Sequence, residues 1–182
     1  MDEIFFNTVN KFKVVEIDIL FKDCKINKHY FNNPVQEILS ENLQKVIVEK
    51  AAEAYRQCKV PITVEHGALQ IEYLKNLPGA LSKPFWDLIG DQLCDLIPEG
   101  ESRKAKACSA VCYCDGIKRY YFIACTEGFI SDSGRGTNGF QWDPIFIPNG
   151  STKTYAEMEL DEKLKFSQAA KAYKMLRKHL KI

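Results

Sequence analysis

No run of apolar residues in this sequence approaches the roughly 18 to 20 needed to cross a bilayer, so a membrane-spanning helix is excluded. An excess of either charge is also missing. Lysine and arginine number 25 against 24 aspartate and glutamate, a formal net charge of +1. That leaves no whole-protein field to draw in a polyanion and argues against a dedicated nucleic-acid binder. Histidine is scarce, and its three copies, at 29, 66 and 179, are too dispersed for metal-ligand spacing. Met1-Asp2-Glu3-Ile4 lacks the basic start and apolar stretch of a secretory leader, and the cysteines total an odd seven. Reduced thiols and a cytoplasmic location are the expectation. Cys112 and Cys114 lack the two-residue gap of a zinc knuckle and read as core residues. A phosphate loop of the Gly-Lys-Ser/Thr type is absent.

What is present is 46% apolar residues in 182, enough for one real core without staples. Glu3 to Phe6 reads as a buried strand running into the polar Asn7-Thr8-Val9-Asn10, with Asn10 capping a helix that carries Val14, Val15, Ile17 and Leu20 inward. A second strand and loop lie within 23–34. Ser40 or Asn42 caps a helix to Cys58 whose face is Leu43, Val46, Ile47, Ala51, Ala54 and Tyr55. Pro61 to Val64 is β-prone and ends in Glu65-His66-Gly67, the signature of a strand end carrying a site; Ala68 to Tyr73 extends it. Leu77-Pro78-Gly79 is a turn. A helix capped by Ser82 then turns Phe85, Trp86, Leu88 and Ile89 inward, followed by a short one over 91–96. Asp115-Gly116 between two β-rich runs predicts a hairpin, and Ile145 to Ile147 a brief strand. One amphipathic helix is expected over 160–180, its lysines solvated except Lys163. The order of elements argues α/β with a mixed sheet.

Gly134-x-Gly136-x-x-Gly139 matches the dinucleotide fingerprint only as letters, because Phe140-Gln141-Trp142-Asp143-Pro144 follows where a helix must start. Within that stretch Phe140, Trp142 and Asp143 read equally as core residues or as stacking faces and an acceptor for a base.

Phe6-Asn7-Thr8-Val9-Asn10-Lys11-Phe12-Lys13-Val14-Val15-Glu16 matches Phe-x-Thr-x-Asn-x-x-Lys-x-x-Glu at every defined position. Together with Glu53 to Glu65, Leu77-Pro78-Gly79, Gly139 to Phe146, Thr154 to Met158 and Glu162-Lys163, in that order, the chain resembles the inosine triphosphate pyrophosphatase family, the HAM1-like proteins. The resemblance implies one elongated α/β domain over 1–182, with a long central mixed sheet flanked by helices and a nucleotide cleft between two lobes. It implies hydrolysis of non-canonical purine nucleoside triphosphates (dITP, ITP, XTP) to monophosphate and pyrophosphate, a homodimer, and magnesium. By position, Thr8, Asn10, Lys13 and Lys163 hold phosphates. Phe140 and Trp142 form the base platform, Asp143 and Gln168 meet the base edge, Glu65 belongs to the acidic motif, and Glu37 with Glu65 serves the metal.

Two departures stand out. The family's paired carboxylates are Glu65-His66 here, so one anion is missing and imidazole is a poor magnesium ligand, although His66 has the acidity of a general base. The family's Ser-His-Arg is Ser167-Gln168-Ala169, so the arginine that reads the purine oxo group is gone; Gln168 can both donate and accept. Phosphate-binding residues kept and cutting residues altered give a first reading. It is a catalytically impaired pyrophosphatase-like sensor or regulatory subunit that binds nucleotide for an effector protein, as degenerate family members do in anti-phage complexes. The second reading is an active pyrophosphatase with His66 as base.

Overall fold

A computed structural model describes residues 2–182. Among the described residues seven strands and five helices follow in the order β1 (Glu3–Asn7), α1 (Lys11–Leu20), β2 (Asn27–Phe31), α2 (Leu43–Cys58), β3 (Ile62–Ile71), β4 (Pro78–Gly79), α3 (Ser82–Ile89), β5 (Lys104–Cys114), β6 (Arg119–Ile130), β7 (Phe146–Pro148), α4 (Leu160–Phe166) and α5 (Gln168–Leu180). Short 3-10 turns occupy Gly90–Leu96, Asp143–Ile145 and Tyr155–Glu157. The sheet order is β2-β1-β3-β5-β6-β7, with β4 added beside β3. It is mixed, since β1 runs parallel to β2 and β3, while β3 with β4 and β6 with β7 are antiparallel. The α/β class with a mixed sheet is therefore as the sequence predicts.

The chain divides into two compact units: Met1–His66, Ser109–Ala124 and Ala169–Ile182 form the first, Gly67–Cys108 and Cys125–Gln168 the second. In the first, Ile4 and Phe6 of β1, Ile17 and Phe21 of α1 and its end, Val111 and Tyr113 of β5, and Ala172, Tyr173 and Leu176 of α5 share one core. The strand period of two places Ile4 and Phe6 on the same side, and the helical period does the same for Tyr173 and Leu176. In α2 the buried residues are Leu43, Val46, Ile47, Ala51 and Ala54, and Asn42 is the cap, accepting from Lys45 N at 3.0 Å. The second unit has its own core of Leu69, Ile71, Leu93, Ile130, Trp142, Phe146, Tyr155 and neighbours.

Several expectations are corrected. In α1 the buried side chains are Glu16 and Ile17, whereas Val15 is half exposed. Leu88 of α3 points to solvent, while Phe85, Trp86 and Ile89 pack inward. Ser82 starts α3 without capping it; its hydroxyl instead donates to Gly79 O at 2.8 Å and accepts from Leu69 N. The terminal helix is two helices. At Ser167 the backbone turns extended, and the Thr126 hydroxyl takes the Phe166 carbonyl at 2.5 Å, an acceptor that a continuous helix keeps for its own ladder. Finally, Cys108 of β5 and Cys125 of β6 form a disulfide, against the expectation of seven reduced thiols, and the other five remain free. The two residues face each other across adjacent strands of the hairpin that Asp115-Gly116 closes.

Candidate active site

In the first unit the loop between β1 and α1 is held from both ends. Asn7 brackets Asn33, donating to its carbonyl at 3.1 Å and accepting from its N–H at 3.0 Å, so the residue before Thr8 cannot shift. Thr8 Oγ1 accepts from Asn10 N at 3.2 Å, and Asn10 Oδ1 accepts from Phe12 N at 2.9 Å, capping α1. One turn further, Lys13 reaches over to Glu65 of β3 in a direct ion pair. Ser109 of β5 donates to the other oxygen of Glu65 at 2.7 Å. Glu65 is buried; burial works to raise its carboxyl, but the Lys13 charge and hydrogen bonds outweigh it and hold the group below the usual range.

Neighbours in a strand point to opposite faces, so His66 leaves Glu65 and meets a second cluster. Its Nδ1 lies 3.3 Å from Glu37 Oε2, and Lys50 of α2 binds Glu37 Oε1 at 2.6 Å and the Glu65 carbonyl at 3.1 Å. Burial acts to raise the Glu37 carboxyl, yet the His66 hydrogen bond and the Lys50 charge drag it far below the ordinary carboxylate range. Lys50 is pushed down, first by burial and then by repulsion from Lys13, with Glu37 and Glu65 countering. Two ammoniums and two carboxylates thus balance across two clusters that Lys50 links through the Glu65 carbonyl.

The second unit carries the other half of the expected residues. Gly139 turns at φ +78°, where a side chain would strike the Asp143 carboxylate. Asp143 Oδ2 accepts from Phe140 N at 2.9 Å and from Lys163 Nζ at 2.8 Å, and the same ammonium stands 4.9 Å from the Phe140 ring centroid. Burial pushes the Asp143 carboxyl up against the pull of Lys163. Tyr155 OH donates to Gln168 Oε1 at 3.1 Å, and the buried Trp142 indole N–H has no hydrogen-bond partner among the described residues. Trp142 stacks edge-on against Phe146, which makes it a core residue with one donor left over.

Thr8, Asn10, Lys13, Glu65, His66 and Glu37 therefore fall in the first unit, and Phe140, Trp142, Asp143, Lys163 and Gln168 in the second. Lys163, expected among the phosphate ligands, bonds Asp143 at 2.8 Å and stands over the Phe140 ring. Lys50 and Ser109 went unnoticed in the sequence. Lys50 left a signal: it sits among Val46, Ile47, Ala51 and Ala54, a cation on the apolar stripe of α2.

The Ham1 family model matches residues 4–179. The chain belongs to the Ham1 family. Relatives include a dITP/XTP pyrophosphatase of Pyrococcus horikoshii, 37% identical over 182 residues and covering 99% of this chain and 97% of that protein. Another, of Hyperthermus butylicus, is 35% identical and covers 95% and 92%. The inosine triphosphate pyrophosphatase of Candida glabrata is 34% identical and covers 98% and 97%. Among solved structures, a HAM1 protein from Coxiella burnetii superposes with a TM-score of 0.86 at 24% identity, covering 100% of this chain and 99% of that one, a likeness of fold.

Membership in the Ham1 family makes the magnesium expectation testable on the donors. Among the described residues no group of three His, Cys, Asp or Glu side chains is spaced to hold an ion. Glu65 has both oxygens engaged by Lys13 and Ser109, and Glu37 is paired with an imidazole. Magnesium takes oxygen donors, so the Glu37–His66 pair does not fit an oxygen-only magnesium site. Among the described residues no helix is long and apolar enough to cross a membrane.

Proposed function

We propose that this protein binds a non-canonical purine nucleoside triphosphate of the dITP, ITP or XTP type and hydrolyses it to monophosphate and pyrophosphate. The observation that carries the reading is the convergence of Lys13 and Lys50 on Glu65, beside the capped N-terminus of α1. A triphosphate is a multiply charged anion, and two ammoniums with the Thr8 hydroxyl and Asn10 amide supply point charges and directed hydrogen bonds. In this reading Thr8, Asn10, Lys13 and Lys50 grip the phosphates. Phe140 stacks on the base; Asp143, Lys163 and the Gln168 amide meet its edge, and the unpaired Trp142 N–H offers a further donor. Glu65, ionised, accepts the proton of a water whose oxygen attacks the α-phosphorus while the bond to the pyrophosphate oxygen breaks. The names of the relatives support the same chemistry.

A second reading, binding without turnover as a sensor for an effector protein, rests on His66 in place of a carboxylate and on Gln168-Ala169 in place of His-Arg. Pyrophosphate release from dITP, ITP, XTP, GTP and ATP, run beside nucleotide-dependent thermal stabilisation, separates the two. Release favouring the non-canonical purines supports hydrolysis. Stabilisation without release supports the sensor, and neither response with any nucleotide overturns both.

A further inference from the structure

We infer that Ser109 is a positioning residue for Glu65, holding the carboxylate in place while Lys13 turns from it to the phosphates. This deepens the proposed hydrolysis and rests on it for the role of Glu65 as proton acceptor. Ser109 stands on β5, the strand beside β3, and is 0% exposed, so it meets neither substrate nor solvent and acts only through its neighbour. Its hydroxyl donates to Glu65 Oε1 at 2.7 Å; an ionised carboxylate can only accept, so the direction of that bond is fixed. The main chain of the same residue is pinned as well, since Lys50 donates to the Glu65 carbonyl at 3.1 Å. What the fold leaves adjustable in Glu65 is its side-chain torsions.

The other oxygen has a different kind of partner. Oε2 pairs with Lys13, whose side chain is 18% exposed and rises from the first turn of α1, beside Thr8 and Asn10. An incoming triphosphate offers several anionic oxygens to that ammonium and draws it away from the carboxylate. Oε2 then has a lone pair free for the proton of the attacking water. The terminal torsion of a glutamate is broad, so a carboxylate tied at neither oxygen swings off the line to the water. Ser109 keeps Oε1 tied through the exchange. It carries no charge and bonds the opposite oxygen, so it leaves Oε2 to the water; the proton passes to Glu65, and no covalent bond of Ser109 is made or broken.

The test is steady-state pyrophosphate release from dITP by the full chain and by Ser109→Ala, Ser109→Thr and Ser109→Cys, beside calorimetric dITP affinity and circular dichroism. Ser109→Ala is expected to lower kcat about 10- to 100-fold, the usual result of a misplaced reacting group. KM and dITP affinity should stay within about twofold, because the contact serves the reaction and not the bound nucleotide. Ser109→Thr restores the hydroxyl and should recover most of kcat. Ser109→Cys, close to serine in volume and a weaker donor, should fall between, and decides the matter if the extra methyl unfolds the threonine variant. An unchanged kcat in Ser109→Ala overturns the inference, as does a loss shared equally by KM, or a folded donor variant no better than alanine. A second arm needs no nucleotide: the carboxyl carbon resonance of Glu65, assigned by its disappearance in Glu65→Gln, should move in Ser109→Ala while that of Glu37 stays. A Glu65 resonance that does not move overturns the inference whether or not the chain hydrolyses anything. Failure of the natural chain to release pyrophosphate from any nucleotide sinks the proposed function instead, and is told apart because it appears before any substitution is made.

Discussion

Lys163 and Asp143 are bonded at 2.8 Å inside the second unit, with side chains only 7% and 4% exposed. Neither charge has much solvent to fall back on, so removing one takes from the other its opposite charge. Asp143→Asn is expected to cost about 3 to 5 kcal/mol of stability in urea unfolding, the usual toll of breaking a buried pair. Adding Lys163→Met to that variant should recover part of the loss, because the buried ammonium that lost its counter-charge is then gone. If the double variant is less stable than Asp143→Asn alone, the pair is not the source of the cost.

Lys50→Met keeps length and burial but deletes a charge placed against Glu65 and Glu37. Losing one charge-assisted contact to phosphate, about 1.5 to 3 kcal/mol, should weaken triphosphate binding roughly 10- to 100-fold in calorimetry. The corresponding monophosphate should lose much less. Equal losses for both would show that Lys50 supports the fold and does not meet the phosphate tail.

Folding depresses the Glu37 and Glu65 carboxyls. A carboxylate whose folded value lies below its unfolded value adds stability that is fully present above the unfolded value and is lost as pH falls through the folded one. Urea midpoints should therefore drop as pH is lowered beneath the ordinary carboxylate range, about 4 to 4.5. Asp143, raised by burial, works the other way and is favoured in its protonated form at low pH, offsetting part of the slope. Glu37→Gln should flatten the acid limb; an unchanged limb in that variant would contradict the role given to Glu37.

Alkylation of the unfolded, unreduced chain should label Cys24, Cys58, Cys94, Cys112 and Cys114 only, with Cys108 and Cys125 joining after reduction. The bridge closes a short loop of chain, 17 residues apart in sequence, for which the chain-entropy estimate is as much as about 3 kcal/mol. Seven labels before reduction would show both thiols free.

The elements were legible where a local rule was sufficient. Asn10 and Asn42 cap helices because a side-chain oxygen there meets orphan N–H groups, and Asp115-Gly116 turns a hairpin because the loop chemistry is local. Long-range partners were not legible. Nothing near Phe166 announces that Thr126 will take its carbonyl and break the terminal helix. Nothing near Lys163 says that its partner is Asp143; its phosphate role came from the family resemblance. Glu65 and His66 were read as one motif because they are adjacent; strand alternation sends them to different neighbours, Lys13 and Glu37.

Gly136, at φ +84°, lies against the main chain of Ala156, and Gly139 against the carboxylate of Asp143. Two of the three letters that spell a dinucleotide fingerprint are thus imposed by close approach of the chain to itself. Read as letters alone the glycines suggest a pyrophosphate cradle; read by what their α-hydrogens touch, they are positions where the chain packs on itself.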